Sequence, residues 1–72
     1  MEQYLVLLRD GEWIVRHDDK QVGNFATKEV AIEAAIGAAR SRGGLAEVLA
    51  QGRDSQFRLE WSSREDPRRR LL

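Results

Sequence analysis

Three short stretches hold the residue types that chemistry would need. The first is His17-Asp18-Asp19, a lone histidine followed by two carboxylates. An imidazole beside a carboxylate can act as a base or a metal ligand, because its charge changes near neutral pH. No serine or cysteine is placed by sequence to serve as its nucleophile, and a strand-end histidine half-covered by Tyr4 is the plainer reading. Asp18 and Asp19, with Asp10 or Asp54, offer hard oxygen ligands for a cation, yet the spacing of a calcium loop is absent and aspartates collect in turns for backbone reasons. The second stretch is Gly52-Arg53-Asp54, with Arg58 downstream. Glycine lets backbone N–H groups approach an anion and arginine grips one in a fork, although an ordinary β-turn uses the same residues. The third is Arg68-Arg69-Arg70 before Leu71-Leu72, a basic cluster that suits nucleic acid or an acidic surface. No aromatic residue interleaves with these arginines, which weakens a model of stacked single strands.

The bulk of the chain narrows the field further. Seventy-two residues form one domain with a thin core, to which a partner surface would add stability. The chain has no cysteine, which removes disulfides, thiolate nucleophiles and the usual structural zinc sites together. No apolar run approaches the roughly 20 residues that span a bilayer, and Met1-Glu2-Gln3 lacks the basic start of a secretion signal. A cytoplasmic protein without membrane contact is expected. Twelve basic and twelve acidic residues cancel, against a polyanion binder held by long-range attraction. The cancellation is uneven: residues 1–52 hold six basic and eight acidic side chains, and residues 53–72 hold six and four.

The elements that position these groups follow from turns and periodicity. Asp10-Gly11 reads as a two-residue type I′ hairpin loop, since both residues tolerate positive φ and the turn's twist matches that of the strands. The register then pairs Arg9 with Glu12, Leu8 with Trp13, Leu7 with Ile14, Val6 with Val15, Leu5 with Arg16 and Tyr4 with His17. Asp18-Asp19-Lys20-Gln21 reads as a polar turn, and Val22-Gly23-Asn24-Phe25 as a short third strand or an extended lead-in. Thr27 is an N-cap, and a helix runs from about Lys28 to Arg42 before stopping at Gly43-Gly44. At about 100° per residue, Ala31, Ile32, Ala35, Ala38 and Ala39 share one side of it. So small a stripe lets the helix sit close to a sheet, leaving core bulk to Trp13, Phe57 and Trp61. A second hairpin, residues 46–51 and 56–61, flanks Gly52-Arg53-Asp54-Ser55. A four-residue loop there sets Val48 against Leu59 and Ala50 against Phe57; it also opposes Glu47 to Glu60, a sign that a bulge shifts the register.

The fold expected is a two-layer α+β domain over residues 1–62, β-β-(β)-α-β-β, with one helix packed on an antiparallel sheet of two hairpins. Residues 63–72 read as a flexible basic tail. Alternation in the first hairpin puts Tyr4, Val6, Leu8, Trp13, Val15 and His17 on the core face. Leu5, Leu7 and Ile14 fall on the other face, with Leu49 as an extension. A contiguous aliphatic group on an outer sheet face calls for a cover, either the C-terminal tail folding back or the same patch on a second copy across a twofold axis.

Trp13-Ile14-Val15 after an Asp-Gly turn, then FATKEVAIEAA and GLAEVLAQGRDSQF, resembles a family of short bacterial domains known as domain of unknown function 2188. The likeness covers roughly residues 4 to 60. The family pattern has a segment F-x-T-x-x-E-A, an alanine-rich helix and a strand ending near H-G-R-D-G. Here Val30 stands where the pattern has the glutamate of a capping box, and Gln51 and Ser55 flank GRD in place of histidine and glycine. The resemblance implies a fold and carries no activity. A non-enzymatic interaction module that self-associates as a homodimer through Leu5, Leu7, Ile14 and Leu49 is expected. The alternative is a nucleic-acid-binding accessory using Arg53, Arg58, Arg68, Arg69 and Arg70. No catalytic or metal-binding residue, cofactor or small-molecule substrate is expected, nor a deep pocket in so small a body.

Overall fold

The computed structural model describes residues 1–65. Five strands and one long helix follow one another as β1 (Glu2–Arg9), β2 (Glu12–His17), β3 (Lys20–Phe25), α1 (Lys28–Arg42), β4 (Ala46–Gln51) and β5 (Phe57–Ser62), with a short 3-10 turn at Ser63–Glu65. The strands form a single sheet in the order β3-β2-β1-β4-β5, with α1 laid across one face.

The first hairpin has all six expected pairs, from Arg9 with Glu12 to Tyr4 with His17. Its loop is the reason: Asp10 at φ 52° and Gly11 at φ 81° both take the left-handed conformation that a type I′ turn requires. A second tight turn follows at Asp18-Asp19, where Asp18 also has a positive φ, 57°. Lys20 and Gln21 therefore belong to β3 and not to a turn, and the third strand is complete, pairing with β2 through a bulge between Val15 and Arg16.

The expected all-antiparallel sheet is incorrect. β1 and β4 pair in parallel, Glu2 with Ala46 through Val6 with Ala50, so the sheet is mixed. The direction follows from β3. Three antiparallel strands leave the chain running as β1 does, α1 reverses it, and β4 then runs with β1 beside it.

Helix α1 has the expected bounds. The Thr27 side chain accepts from the Val30 N–H at 3.2 Å, and Gly43 at φ 77° closes the other end by donating to the Ala39 carbonyl at 3.1 Å. Ala31, Ala35 and Ala39 are buried against Tyr4, Val6, Val15, Val48 and Ala50, with Trp13, Phe25, Ile32, Ile36 and Trp61 packed around them. The largest side chains wholly enclosed are valines, Val6, Val15 and Val48, and Tyr4 is buried beside them at 2% exposure.

Phe57 corrects the expected core. A bulge between Val48 and Leu49 leaves Glu60 without an opposite residue, so Val48 pairs with Trp61, Leu49 with Leu59 and Gln51 with Phe57. The run Phe57, Leu59, Trp61 is thereby split. Trp61 packs under the helix, while Phe57 and Leu59 share the other face with Leu49 and are 41% and 50% exposed. Leu8 is likewise no core residue: it stands on the helix side of β1 yet is 50% exposed.

The tail expected from residue 63 onwards begins with an ordered segment. Ser63 is buried, and its hydroxyl accepts from the Ala46 N–H at 2.9 Å. Arg68, Arg69 and Arg70 lie outside the described residues.

Candidate functional site

The face of the sheet turned away from α1 has no covering layer among the described residues. Along each strand the residues alternate with the helix-facing core, so Leu5 and Leu7 from β1, Ile14 from β2, Leu49 from β4, and Phe57 and Leu59 from β5 stand on it together. Two cross-strand rows join them. One runs Arg16, Leu5, Leu49, Leu59; in the other, Asn24, Ile14 and Leu7 stand side by side at one end and Gln51 and Phe57 at the other. Ile14 is only 6% exposed although it takes no part in the helix-facing cluster, which shows how closely its in-sheet neighbours press around it. The rim is polar and carries both signs. Arg9 stands opposite Glu12, whose carboxylate accepts from Asn24 Nδ2 at 2.6 Å, and at the other end Gln3 Nε2 donates to Glu47 Oε1 at 3.2 Å. The four aliphatic residues read from the sequence thus lie together. Phe57 and Leu59 were missed, and the only signal was the opposition of Glu47 to Glu60 in the unbulged register.

His17 ends β2 and is covered by Tyr4, as the plainer reading of it has it. Its ring stacks on Tyr4, with centroids 4.3 Å apart and planes 10° from parallel, and its Nε2 is hydrogen-bonded to Glu2 Oε1. Arg42 Nε also lies 3.5 Å from that oxygen, and Asp18 Oδ2 lies 3.8 Å from the imidazole. The hydrogen bond from His17 holds the Glu2 carboxyl below its ordinary value; the charges of His17 and Arg42 act in the same sense and partial burial opposes them. Glu2, His17 and Asp18 bring their ligand atoms within 4.8 Å of one another, the geometry a cation would need. The guanidinium beside Glu2 already neutralises it, so the cluster is a clasp between β1, the end of β2 and the last turn of α1. Glu2 was legible in principle, because Tyr4 opposite His17 puts Glu2 on the same face one step along.

Arg53 and Arg58 are separated in role by Asp54. Arg58 donates through Nη1 and Nη2 to the two Asp54 oxygens at 3.1 and 2.8 Å. That fork, with a hydrogen bond from the Gln56 N–H, pulls the Asp54 carboxyl from its usual 3.8 to about 2. Arg58 is therefore a clamp on its own loop. A Cβ at Gly52 would come within 2.4 Å of Arg58 Nη1, so a larger residue there would displace the guanidinium. Arg53 lies apart, on a cleft of about 400 Å³ with Trp13 and Lys28. The expectation is that so small a body has no deep pocket, and this cleft is an open one.

A family described as "Uncharacterized protein conserved in bacteria (DUF2188)" matches residues 4–63, which is all five strands save the first two residues and the helix between them. The chain belongs to this family. Neither a curated protein nor a solved structure matches it. Membership of DUF2188 thus agrees with the resemblance carried by the Trp13 strand, the alanine helix and the GRD turn. No described helix of this DUF2188 chain is long and apolar enough to cross a membrane.

Proposed function

We propose that the domain is a non-catalytic interaction module that self-associates through the face of its sheet turned away from α1. The observation behind this reading is the band of Leu5, Leu7, Ile14, Leu49, Phe57 and Leu59 spanning four adjacent strands. An apolar centre inside a polar rim is the anatomy of a protein interface. A second copy is the favoured occupant for two reasons. A chain with zero net charge raises no long-range repulsion against itself. A rim holding Arg9 and Arg16 as well as Glu12 and Glu47 can meet its own image across a twofold axis with opposite charges in register. Sedimentation velocity on wild type, Leu7→Asp and Leu59→Arg tests it. Wild type should sediment as a dimer, and both variants should drop to monomer mass with unchanged circular dichroism. Leu59 is half-exposed, so its substitution spares the fold; a folded Leu59→Arg protein with the mass of wild type refutes the reading.

A further inference from the structure

The cleft at Trp13, Lys28 and Arg53 lies where two adjacent parallel strands end. β1 leaves through Asp10-Gly11 towards β2 on one side, and β4 leaves through Gly52–Ser55 towards β5 on the other. No connection between the described elements crosses the gap between them. In open sheets with parallel strands, such a divergence at the carboxyl ends is where ligands bind, because the chain itself leaves a crevice there. The amino end of α1 arrives at the same place, since Lys28 is its first residue, and adds the partial positive charge of its unpaired N–H groups.

The lining has a definite chemistry. Its two ionisable side chains, Lys28 and Arg53, are both cationic, and neither has a carboxylate partner among the described residues. Arg42 and Arg58, by contrast, are each paired to a carboxylate. In a chain of zero net charge, a lining with two cations and no carboxylate gives the cleft a local positive charge. Beside them lie Leu8 and Trp13. Leu8 is half-exposed on the side of the sheet where Val6 and Val15 are wholly enclosed, so apolar surface is left open at the cleft.

The frame around the cleft is fixed before any ligand arrives. The Leu8 N–H donates to Gln51 Oε1 at 3.0 Å, tying the ends of β1 and β4 together. Gly52 N–H donates to the Gln56 carbonyl at 2.8 Å, Ser55 N–H to the Gly52 carbonyl at 3.0 Å, and the Asp54–Arg58 fork braces the far side. Arg53 is therefore presented by a closed turn. A volume of about 400 Å³ lies within the range of small-ligand clefts, roughly 300–1,000 Å³.

We propose that this cleft binds a phosphate monoester carrying a flat organic body, with the phosphate between Lys28 and Arg53 and the body against Trp13 and Leu8. A phosphate dianion uses both cations, the guanidinium as a fork and the ammonium as a point charge. An aromatic or heterocyclic body stacks on the indole, displacing the Lys28 ammonium that lies 5.7 Å from its centre onto the phosphate. The site is on the helix side of the sheet and does not depend on self-association.

The test is an amide NMR titration of the full chain with adenosine 5′-monophosphate, adenosine and inorganic phosphate. The monophosphate should shift the Trp13 indole, Lys28 and Gly52-Arg53 signals saturably, with adenosine and inorganic phosphate each at least tenfold weaker. Arg53→Ala, at an exposed position, and Lys28→Ala, at a half-buried one in the first turn of α1, should each weaken binding by about tenfold, the scale of one charge-assisted contact, with circular dichroism checking that each variant is folded. A 5′-phosphorylated dinucleotide separates the two sources of such an ester: tighter binding than the mononucleotide assigns the site to a strand end, equal binding to a free ester. The absence of a saturable shift at millimolar ligand, or a shift unaltered by both substitutions, overturns the proposal.

Discussion

Ser55 occupies the one place in the β4–β5 turn where the backbone is left-handed, at φ 67°. For an L-residue that conformation costs roughly 1–2 kcal/mol, a cost glycine does not carry. Against this, glycine gives the unfolded chain more freedom, worth about 0.4–1 kcal/mol in the other direction. Among the described residues the Ser55 hydroxyl has no hydrogen-bond partner; its backbone N–H donates to the Gly52 carbonyl, and glycine keeps that bond. The difference leaves Ser55→Gly about 0.5–1 kcal/mol more stable than wild type. For a domain of this size that raises the melting temperature by roughly 2–8 °C. Differential scanning calorimetry and urea unfolding should both register the gain, with an unchanged dependence on denaturant. A melting temperature equal to or below that of wild type would mean that the turn relaxes without strain, and the backbone argument would be wrong.

Two further outcomes rest on packing and charge. Ala35→Leu inserts bulk where the helix touches Val6, Val15 and Val48, and should destabilise by about 1–3 kcal/mol in urea unfolding; a neutral result would show that α1 has room to lift. Asp54, whose carboxyl is depressed, contributes stability that is complete above its usual value of 3.8 and is lost as pH falls through about 2. Unfolding curves taken across pH 5 to 2, a span set by that shift, should therefore converge for wild type and Asp54→Asn at the acid end and diverge above it; parallel curves would remove the Asp54–Arg58 fork as their cause.

What could be read from residues alone was whatever a local rule determines. The Asp10-Gly11 loop has one twist that suits its strands, so all six pairs of the first hairpin follow from two residues. Thr27 and Gly43 likewise bound α1, because capping depends on neighbours in sequence. The direction of β4 was out of reach while β3 was in doubt: with two strands before the helix β4 opposes β1, with three it runs alongside, and the sparse Val22-Gly23-Asn24-Phe25 did not decide between them. The bulge at Glu60 was hidden by the regular spacing of Phe57, Leu59 and Trp61, which reads as one face whether or not an extra residue intervenes. The outer band was partly visible because its first-hairpin members depend only on turn phase. The cleft was not visible at all, since Leu8, Trp13, Lys28 and Arg53 come from four separate segments that meet only through the mixed topology.

The central position of β1 has a consequence for how the molecule is made. Its ladder to β4 joins Glu2 to Ala46 and Val6 to Ala50, contacts 44 residues apart in the chain. During synthesis the first strand emerges early, but its second neighbour does not exist until residue 50 has left the ribosome. Until then the three-stranded meander keeps an unpaired hydrogen-bonding edge down the middle of the future sheet, with Tyr4 and Val6 wet on one side and Leu5 and Leu7 on the other. Closing so distant a parallel pair is the slow kind of step in folding, and an edge left open meanwhile is a template for the wrong strand.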